Sequence, residues 1–253
     1  MNNNCKICNN FIQAEAFEKL VLNKYKIKYY ICSNCGFLQT EEPFWLEEAY
    51  SEAISSADVG LLSRNIENSD ILRKTILLYF NSEKKFLDFG GGYGVLVRLM
   101  RDKGFNFFWQ DKYCKNLFSQ YFELERMDEK ERCFELVSAF EVFEHHFDPV
   151  ALLTELLVFS DSVIFSTELI PENTDIKTWW YLAPEAGQHI SFFSRKSLEI
   201  LAEMFDLSFF SNEYNLHLFS KKSSFPSTIL KKNSFVDNIK LLTKKKRKKI
   251  LIK

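Results

Sequence analysis

Apolar and polar positions divide the middle of the chain into short apolar runs and segments in which apolar residues recur every three or four positions. Short apolar runs are typical of buried strands, and the three-and-four spacing is typical of amphipathic helices. The predicted strands are 85–89, 106–110, 133–140 and 162–167, with one or two closing strands in 207–219. The predicted helices are 44–50, 66–80, 95–102, 149–159 and 195–205. Because strands alternate with helices, we expect an α/β fold with a mainly parallel sheet covered on both faces.

The first 40 residues follow a different pattern, in which two Cys-x-x-Cys pairs flank a β-prone stretch. The pairs are Cys5 and Cys8, then Cys32 and Cys35. Each pair places two sulfurs on one side of a tight turn, and two such turns complete a tetrahedron of thiolates. The spacing therefore predicts a structural Zn²⁺ site in a small module of residues 1–42. A redox-active pair is the alternative, although that chemistry normally uses a single Cys-x-x-Cys in a βαβ unit.

Length and composition suit one domain beside this module. A chain of 253 residues that is 46% hydrophobic and 16% aromatic can bury one sizeable core. The predicted domain occupies residues 43–220. The polar, Trp-bearing stretch 168–188 within it is long enough to be a functional loop or lid.

Glycine is scarce, with eight residues in all, yet four of them lie within 90–94. This cluster joins the first predicted strand to the next helix, in the order Asp88-Phe-Gly-Gly-Gly-Tyr-Gly94. Glycines here permit a tight turn and a close approach of the backbone to a ligand, although turn geometry alone is the simpler explanation. The carboxylate of Asp88 suits a ligand with an ammonium group and disfavours a pyrophosphate. Asp111, after the next strand, is placed to bind ribose hydroxyls or is an ordinary surface acid.

Four parts of the sequence together resemble the class I S-adenosylmethionine (SAM)-dependent methyltransferases, over about residues 65–220. They are the loop 88–94, Asp111, the segment 134–145 and the segment 188–198. The resemblance implies a Rossmann-like, mainly parallel seven-stranded sheet. Residues 114–132 depart from the family pattern, because they show no alternation where its third strand is expected.

The same resemblance implies a set of SAM-binding residues. Gly90, Gly92 and Gly94 would cradle the methionine part, with Asp88 near its amino group and Asp111 on the ribose. The adenine and sulfonium side would be lined by Ala139, Phe140 and Glu141.

Methyl transfer also needs an acceptor, and often a base that removes the acceptor's proton. Position and resemblance favour His145 and His189 for this role, because both follow the carboxyl ends of predicted strands, where ligands of open α/β sheets bind. Glu144 is placed to orient or tune His145. A purely structural Glu-His turn is the alternative.

The predicted function is methylation of a small molecule, with O-methylation of a sugar, a nucleotide-sugar or a phosphorylated precursor expected. A zinc knuckle before such a domain resembles bacterial sugar C-methyltransferases, so surface-polysaccharide biosynthesis is the expected setting. The alternatives are an RNA- or protein-directed methyltransferase and a non-catalytic SAM-binding scaffold. The first alternative would have a macromolecule as its acceptor, and the second would bind SAM without turnover.

Charge separates the body from the C-terminal tail of residues 221–253. The tail carries 12 Lys and Arg residues against one acid, whereas the rest of the chain is acidic. An acidic body argues against nucleic acid as a partner. The tail is expected to be a solubilising end, a membrane-surface contact or a contact with another subunit. The chain has no run of 18 apolar residues and no apolar signal core, which predicts a cytoplasmic protein.

Overall fold

The computed structural model describes residues 4–50, 59–172, 174–226 and 229–230. The strands in this part of the chain are β1 (Phe17–Val21), β2 (Tyr25–Ile31), β3 (Leu38–Thr40), β4 (Lys85–Phe89), β5 (Asn106–Gln110), β6 (Leu136–Ala139), β7 (Ser162–Ser166), β8 (Ser191–Phe192), β9 (Ser208–Ser211) and β10 (Leu216–Ser220). The α-helices are α1 (Leu46–Ala49), α2 (Leu61–Tyr79), α3 (Val95–Asp102), α4 (Pro149–Phe159) and α5 (Arg195–Glu203). None of the described helices is long and apolar enough to cross a membrane.

The larger sheet has the strand order β5-β4-β6-β7-β10-β9. The first four strands are parallel, and β10 runs antiparallel to both of its neighbours. The α/β fold and the mainly parallel sheet are therefore confirmed. The strand count of seven is wrong for the described residues, where this sheet has six strands.

The missing strand is the one expected beyond β5. Residues 111–132 form two short 3-10 turns there, Leu124–Arg126 and Glu129–Glu131, and touch the sheet through one bridge between Trp109 and Glu123. A strand with one face on the core needs alternating apolar residues. This segment lacks that alternation.

Helices cover both faces of the larger sheet, as predicted. Side chains alternate along β4, so Phe86 joins the core beneath α2 and α3, whereas Leu87 joins the core beneath α4 and α5. Helix α4 begins at Pro149, and the Asp148 side chain accepts hydrogen bonds from the first free backbone N–H groups. Ser194 caps α5 in the same way. Both helix starts agree with the sequence analysis.

The smaller sheet has the order β1-β2-β3-β8. The β1–β2 hairpin agrees with the β-prone stretch between the cysteine pairs. Strand β8 is contributed by the later half of the chain, through the pairing of Leu38 with Phe192 and of Gln39 with Ser191. The sheet therefore runs across the boundary predicted after residue 42, and the cysteine module packs directly on the domain.

The basic tail falls mainly outside the described residues. Of 221–253, the structure describes 221–226 and 229–230. Ile229 and Leu230 are buried in the core beneath α2 and α3, with Phe225 packed against it. The lysine-rich segment lies outside the described residues, and its role stays a prediction.

Candidate active site

The glycine loop lies at the carboxyl end of β4, before α3. Gly90, Gly92 and Gly94 have φ values of 68°, 52° and 84°, in the left-handed region that favours glycine. A Cβ on Gly94 would lie 2.4 Å from Ser119 Oγ, and one on Gly90 would lie 2.6 Å from Val142 Cγ2. A Cβ on Gly92 would meet no described atom within 4 Å. Gly92 thus presents bare backbone to an open space.

Asp88 is buried beneath this loop. Its Oδ1 accepts a hydrogen bond of 2.7 Å from Ser138 Oγ. Burial removes water from the charged form and raises the pKa of Asp88 to about 7, although the Ser138 bond favours the ionised form. The carboxyl lines the cavity and gains its charge near neutral pH.

Asp111 fixes the shape of the loop. Its Oδ2 accepts a hydrogen bond from Gly92 N at 2.8 Å, and its Oδ1 accepts from the backbone N–H groups of Tyr113 and Cys114. The indole of Trp109 donates to Gly92 O at 2.9 Å. The loop is therefore held from the β5 side at both polar atoms of Gly92.

The end of β6 forms the next wall of the cavity. Ala139 is buried in the core, whereas Phe140 and Glu141 line the cavity. Glu141 has a φ of 54°, which is uncommon for a residue with a side chain. Its Oε1 accepts a hydrogen bond of 2.6 Å from Ser166 Oγ, and the backbone N–H of Glu141 donates to Ser166 Oγ. Ser166 on β7 therefore holds this turn in place.

His145 and His189 meet at the far side of the cavity, with their rings 4.8 Å apart and edge to face. His145 Nδ1 lies 3.0 Å from Tyr50 Oη and 3.2 Å from Gln188 O, and His189 Nδ1 lies 2.7 Å from Tyr181 O. Burial lowers the pKa of His145 to about 3 and lowers that of His189. Burial thus favours the neutral form of both rings.

Glu144 lies behind the two rings and is fully buried. Neither carboxyl oxygen has a hydrogen-bond partner among the described residues, so Glu144 does not orient His145 through such a bond. Desolvation raises the pKa of this carboxyl well above its ordinary value. Thr167 and Tyr181 lie near enough to lower that pKa, but neither is placed to complete a hydrogen bond with it.

One cavity of about 1060 Å³ joins the glycine loop to the two histidines. This volume is enough for two small ligands side by side. Its described lining carries more acids than bases. The acids are Glu47, Asp88, Asp111, Glu141, Glu155 and Glu168, and the bases besides histidine are Arg64 and Lys112.

The four cysteines of the N-terminal module also come together. Cys5 Sγ lies 3.5 Å from Cys35 Sγ, and Cys8 Sγ lies 3.5 Å from Cys32 Sγ, with all four sulfurs within 4.8 Å of one another. A tetrahedral zinc site with Zn–S bonds of about 2.3 Å separates its sulfurs by roughly 3.8 Å. The thiol of Cys35 also lowers the pKa of Cys5 through a hydrogen bond. The donor set and spacing fit a Zn²⁺ ion.

Several contacts of this site have no sequence signal. Ser138 and Ser166 lie under two predicted site residues, and Gln188 joins His145 to the Ala49 carbonyl. Nothing in the sequence around these serines or around Gln188 marks them out from other polar positions. Their roles depend on which strands become neighbours.

Comparison with known proteins gives a family match and distant structural likenesses. The family model described as "Methyltransferase domain" matches residues 64–211. No curated protein sequence matches the chain. The fold is similar to CalO1, a methyltransferase of calicheamicin biosynthesis in its SAH-bound form, at 14% identity and a TM-score of 0.43, covering 71% of this chain and 60% of that one.

Two further solved structures are similar at the same level. The plantazolicin methyltransferase BpumL in complex with SAH is 12% identical with a TM-score of 0.45, over 69% of this chain and 94% of that one. Human N-acetylserotonin methyltransferase in complex with SAM is 14% identical with a TM-score of 0.41, over 71% and 66%.

Proposed function

The chain belongs to the methyltransferase domain family, and we propose from this premise that it transfers a methyl group from SAM to a hydroxyl of a small molecule. The observation that carries the proposal is the open space above Gly92, enclosed by a loop in which Gly90 and Gly94 have no room for a side chain. A bulky ligand can therefore lie directly against the Gly92 backbone, within a cavity that Gly90 and Gly91 also line.

The residues around the loop fit the parts of SAM. Asp88, ionised near neutral pH, would attract the ammonium group, while Gly90, Gly92 and Gly94 would cradle the methionine part. Three of the roughly four acceptor sites of the Asp111 carboxylate are used by backbone N–H groups, and the remaining one, on Oδ2, is left for a ribose hydroxyl. Phe140 and Glu141 would line the adenine and sulfonium side, with Ala139 packed below. When bound, SAM supplies a methyl group on a positively charged sulfur.

His145 and His189 would receive the acceptor. Their Nδ1 atoms are engaged by backbone carbonyls, so each ring has its other nitrogen, Nε2, left for a ligand. We propose that the acceptor's hydroxyl is activated at these Nε2 atoms. Glu144 would form the buried wall next to the two rings.

The charge of the cavity favours an acceptor rich in hydroxyl groups. Carboxylates accept hydrogen bonds from sugar hydroxyls but repel phosphates. Glu141, Glu155 and Glu168 all lie along the described lining. Of the acceptors considered, a sugar is therefore favoured over a phosphorylated precursor, and surface-polysaccharide biosynthesis is the proposed setting.

The four cysteines are proposed to hold a structural Zn²⁺ ion. Four thiolates complete a tetrahedral coordination sphere, which leaves no position for a substrate. The ion would stabilise the turn from which β3 departs.

The experiment is a binding and turnover assay on the full chain. Calorimetry should detect SAM and SAH, and radiolabelled methyl should appear on a sugar from a panel that pairs each free sugar with its phosphate and its nucleotide conjugate. Gly92→Trp should remove SAM binding, because its side chain would fill the open space. SAM binding without turnover on any acceptor would instead support a scaffold, and absence of SAM binding would refute the proposal.

A further inference from the structure

Three potential metal ligands converge at the acceptor end of the cavity. One ligand atom from each of Glu144, His145 and His189 lies within 4.8 Å of the others. Glu144 and His145 belong to the 3-10 turn Phe143–His145, and His189 immediately precedes the segment that leads into β8. This group is separate from the four cysteines and contains no sulfur.

The hydrogen bonds of the two histidines leave them ready to bind a cation. A backbone carbonyl only accepts hydrogen bonds, so the contacts of His145 Nδ1 with Gln188 O and of His189 Nδ1 with Tyr181 O favour a proton on each Nδ1. The Tyr50 hydroxyl, 3.0 Å from His145 Nδ1, can accept from the same N–H group. Each Nε2 then carries a free lone pair. Histidines that bind metals usually have this arrangement, with the second ring nitrogen donating to a carbonyl that fixes the ring.

Glu144 would supply the negative charge, because a bound cation favours the ionised form of its carboxyl. Its side chain is fully buried, and both oxygens are without a hydrogen-bond partner among the described residues. A buried carboxylate without hydrogen-bond partners lowers the folding stability, unless another group or ion satisfies its oxygens. For the ionised carboxylate, the lone pairs of the two imidazoles cannot do so, because they are acceptors as well. A cation satisfies all three side chains at once.

We propose that Glu144, His145 and His189 bind one divalent transition-metal ion, with its open coordination positions facing the cavity. Two imidazoles and one carboxylate suit Mn²⁺, Fe²⁺ or Zn²⁺ better than Mg²⁺ or Ca²⁺, which prefer oxygen ligands alone. The three protein ligands leave positions for a small molecule, in contrast to the closed set of four cysteines.

The use of the ion rests on the proposed function. An acceptor hydroxyl that binds the ion would lose its proton more readily, because the ion's charge stabilises the deprotonated oxygen. This would explain how two neutral histidines activate an acceptor: they hold the ion that does so.

Mn²⁺ is the probe for this site, since thiolates have little preference for it and a cysteine-bound Zn²⁺ stays in place. The full chain is titrated with Mn²⁺, and free Mn²⁺ is followed by electron paramagnetic resonance. We expect one Mn²⁺ per chain and a rise in melting temperature on binding. Glu144→Gln, which keeps the shape of the side chain, and His189→Ala should each weaken binding by about 10-fold or more.

His146→Ala is the matched control, because it removes a neighbouring imidazole that is not part of the group. Its Mn²⁺ affinity should equal that of the unaltered chain. Absence of Mn²⁺ binding, or equal affinity in Glu144→Gln and the unaltered chain, would overturn the inference. Circular dichroism of each variant shows whether the fold is kept.

The two proposals can fail separately. Mn²⁺ binding that depends on Glu144, without methyl transfer to any acceptor, would leave the ion site standing and refute the proposed function. Methyl transfer that is indifferent both to Glu144→Gln and to Mn²⁺ would refute the ion site alone.

Discussion

The glycine loop and the acceptor end of the cavity differ in how their polar groups are satisfied. Around the loop, Gly92 N and O, Asp88 and Asp111 all have hydrogen-bond partners within the chain. At the acceptor end, the Glu144 carboxyl has none among the described residues. A loop that is already satisfied is preformed for its ligand, whereas an unsatisfied cluster depends on one. The two ends of the cavity should therefore respond differently to mutation.

The largest expected effect comes from breaking the loop itself. In Gly94→Val, the Cβ would collide with Ser119 Oγ and Asn116 Oδ1, and the residue would have to hold a φ of 84°. We expect a loss of about 2–4 kcal/mol of folding free energy and of measurable SAM binding. Denaturant unfolding and calorimetry test this. Gly104→Ala, another left-handed glycine with no described atom within 4 Å of its Cβ, is the control for backbone strain alone.

Loss of the proposed Zn²⁺ ion from the cysteines should affect the acceptor end more than the loop. Cys32 leads through β3 to its partner β8, and Thr40 N donates to Ile190 O, next to His189. Cys32→Ser should therefore lower the melting temperature and reduce acceptor turnover by about 10-fold or more, while SAM affinity changes little. Calorimetry on the folded fraction measures SAM affinity separately from the loss of stability. An equal loss of SAM affinity would show that the ends are not independent.

Asp88 should make SAM binding depend on pH. Its raised pKa of about 7 means that the free protein holds a proton there below neutrality and a charge above it. SAM affinity should therefore increase as the pH rises through about 7, and Asp88→Asn should lose about 10-fold or more in affinity together with this dependence.

The raised pKa of Asp88 also makes the free energy of unfolding depend on pH. A folded pKa above the unfolded value of about 4 stabilises the protein most at low pH, and this contribution is lost as the pH rises through about 7. Unfolding measured across this range should show a smaller loss in Asp88→Asn. Identical pH profiles would contradict the assignment of the charge to Asp88.

The smallest expected effect concerns the bond from Trp109 to the loop. Trp109→Phe keeps an aromatic ring in the core but removes the hydrogen bond to Gly92 O. SAM affinity should fall by about 3- to 10-fold, as for one neutral hydrogen bond. Phe108→Leu, on the opposite face of β5, should leave SAM affinity unchanged. A larger fall for Phe108→Leu would mean that packing, not the hydrogen bond, holds the loop.

Sequence reasoning succeeded where the signal is local. The bounds of β4, α3, β5 and α4 agree with the predictions, because each is marked by an apolar run, a glycine or a capping residue within a few positions. The glycine loop shares this property, since its strand, turn and helix are consecutive. The short strands β3 and β8 have no such marker in the sequence. They form a strand pair only because the fold brings these two distant segments side by side.

The acceptor end shows why the rest was not accessible. The positions of His145 and His189 after predicted strands made them candidates. The two rings come into contact only because the chain between them, more than 40 residues long, leads to β8, which pairs with β3 of the N-terminal module. Glu144 has no hydrogen-bond partner among the described residues because the fold buries it. The sequence Glu-His alone does not show whether the carboxyl is buried. Ser138 and Ser166 similarly acquire their roles from strand neighbours.

The irregular segment that replaces a seventh strand has a further effect, on how molecules of this protein can meet. Strand β5 ends the larger sheet, and such an edge is normally open to a strand from another copy. Here Trp109 N donates to Phe122 O, while the Arg101 guanidinium donates to Phe107 O and stacks on the Phe122 ring. These outward-facing backbone groups are already engaged, so continuous sheets that grow from copy to copy through this edge are blocked.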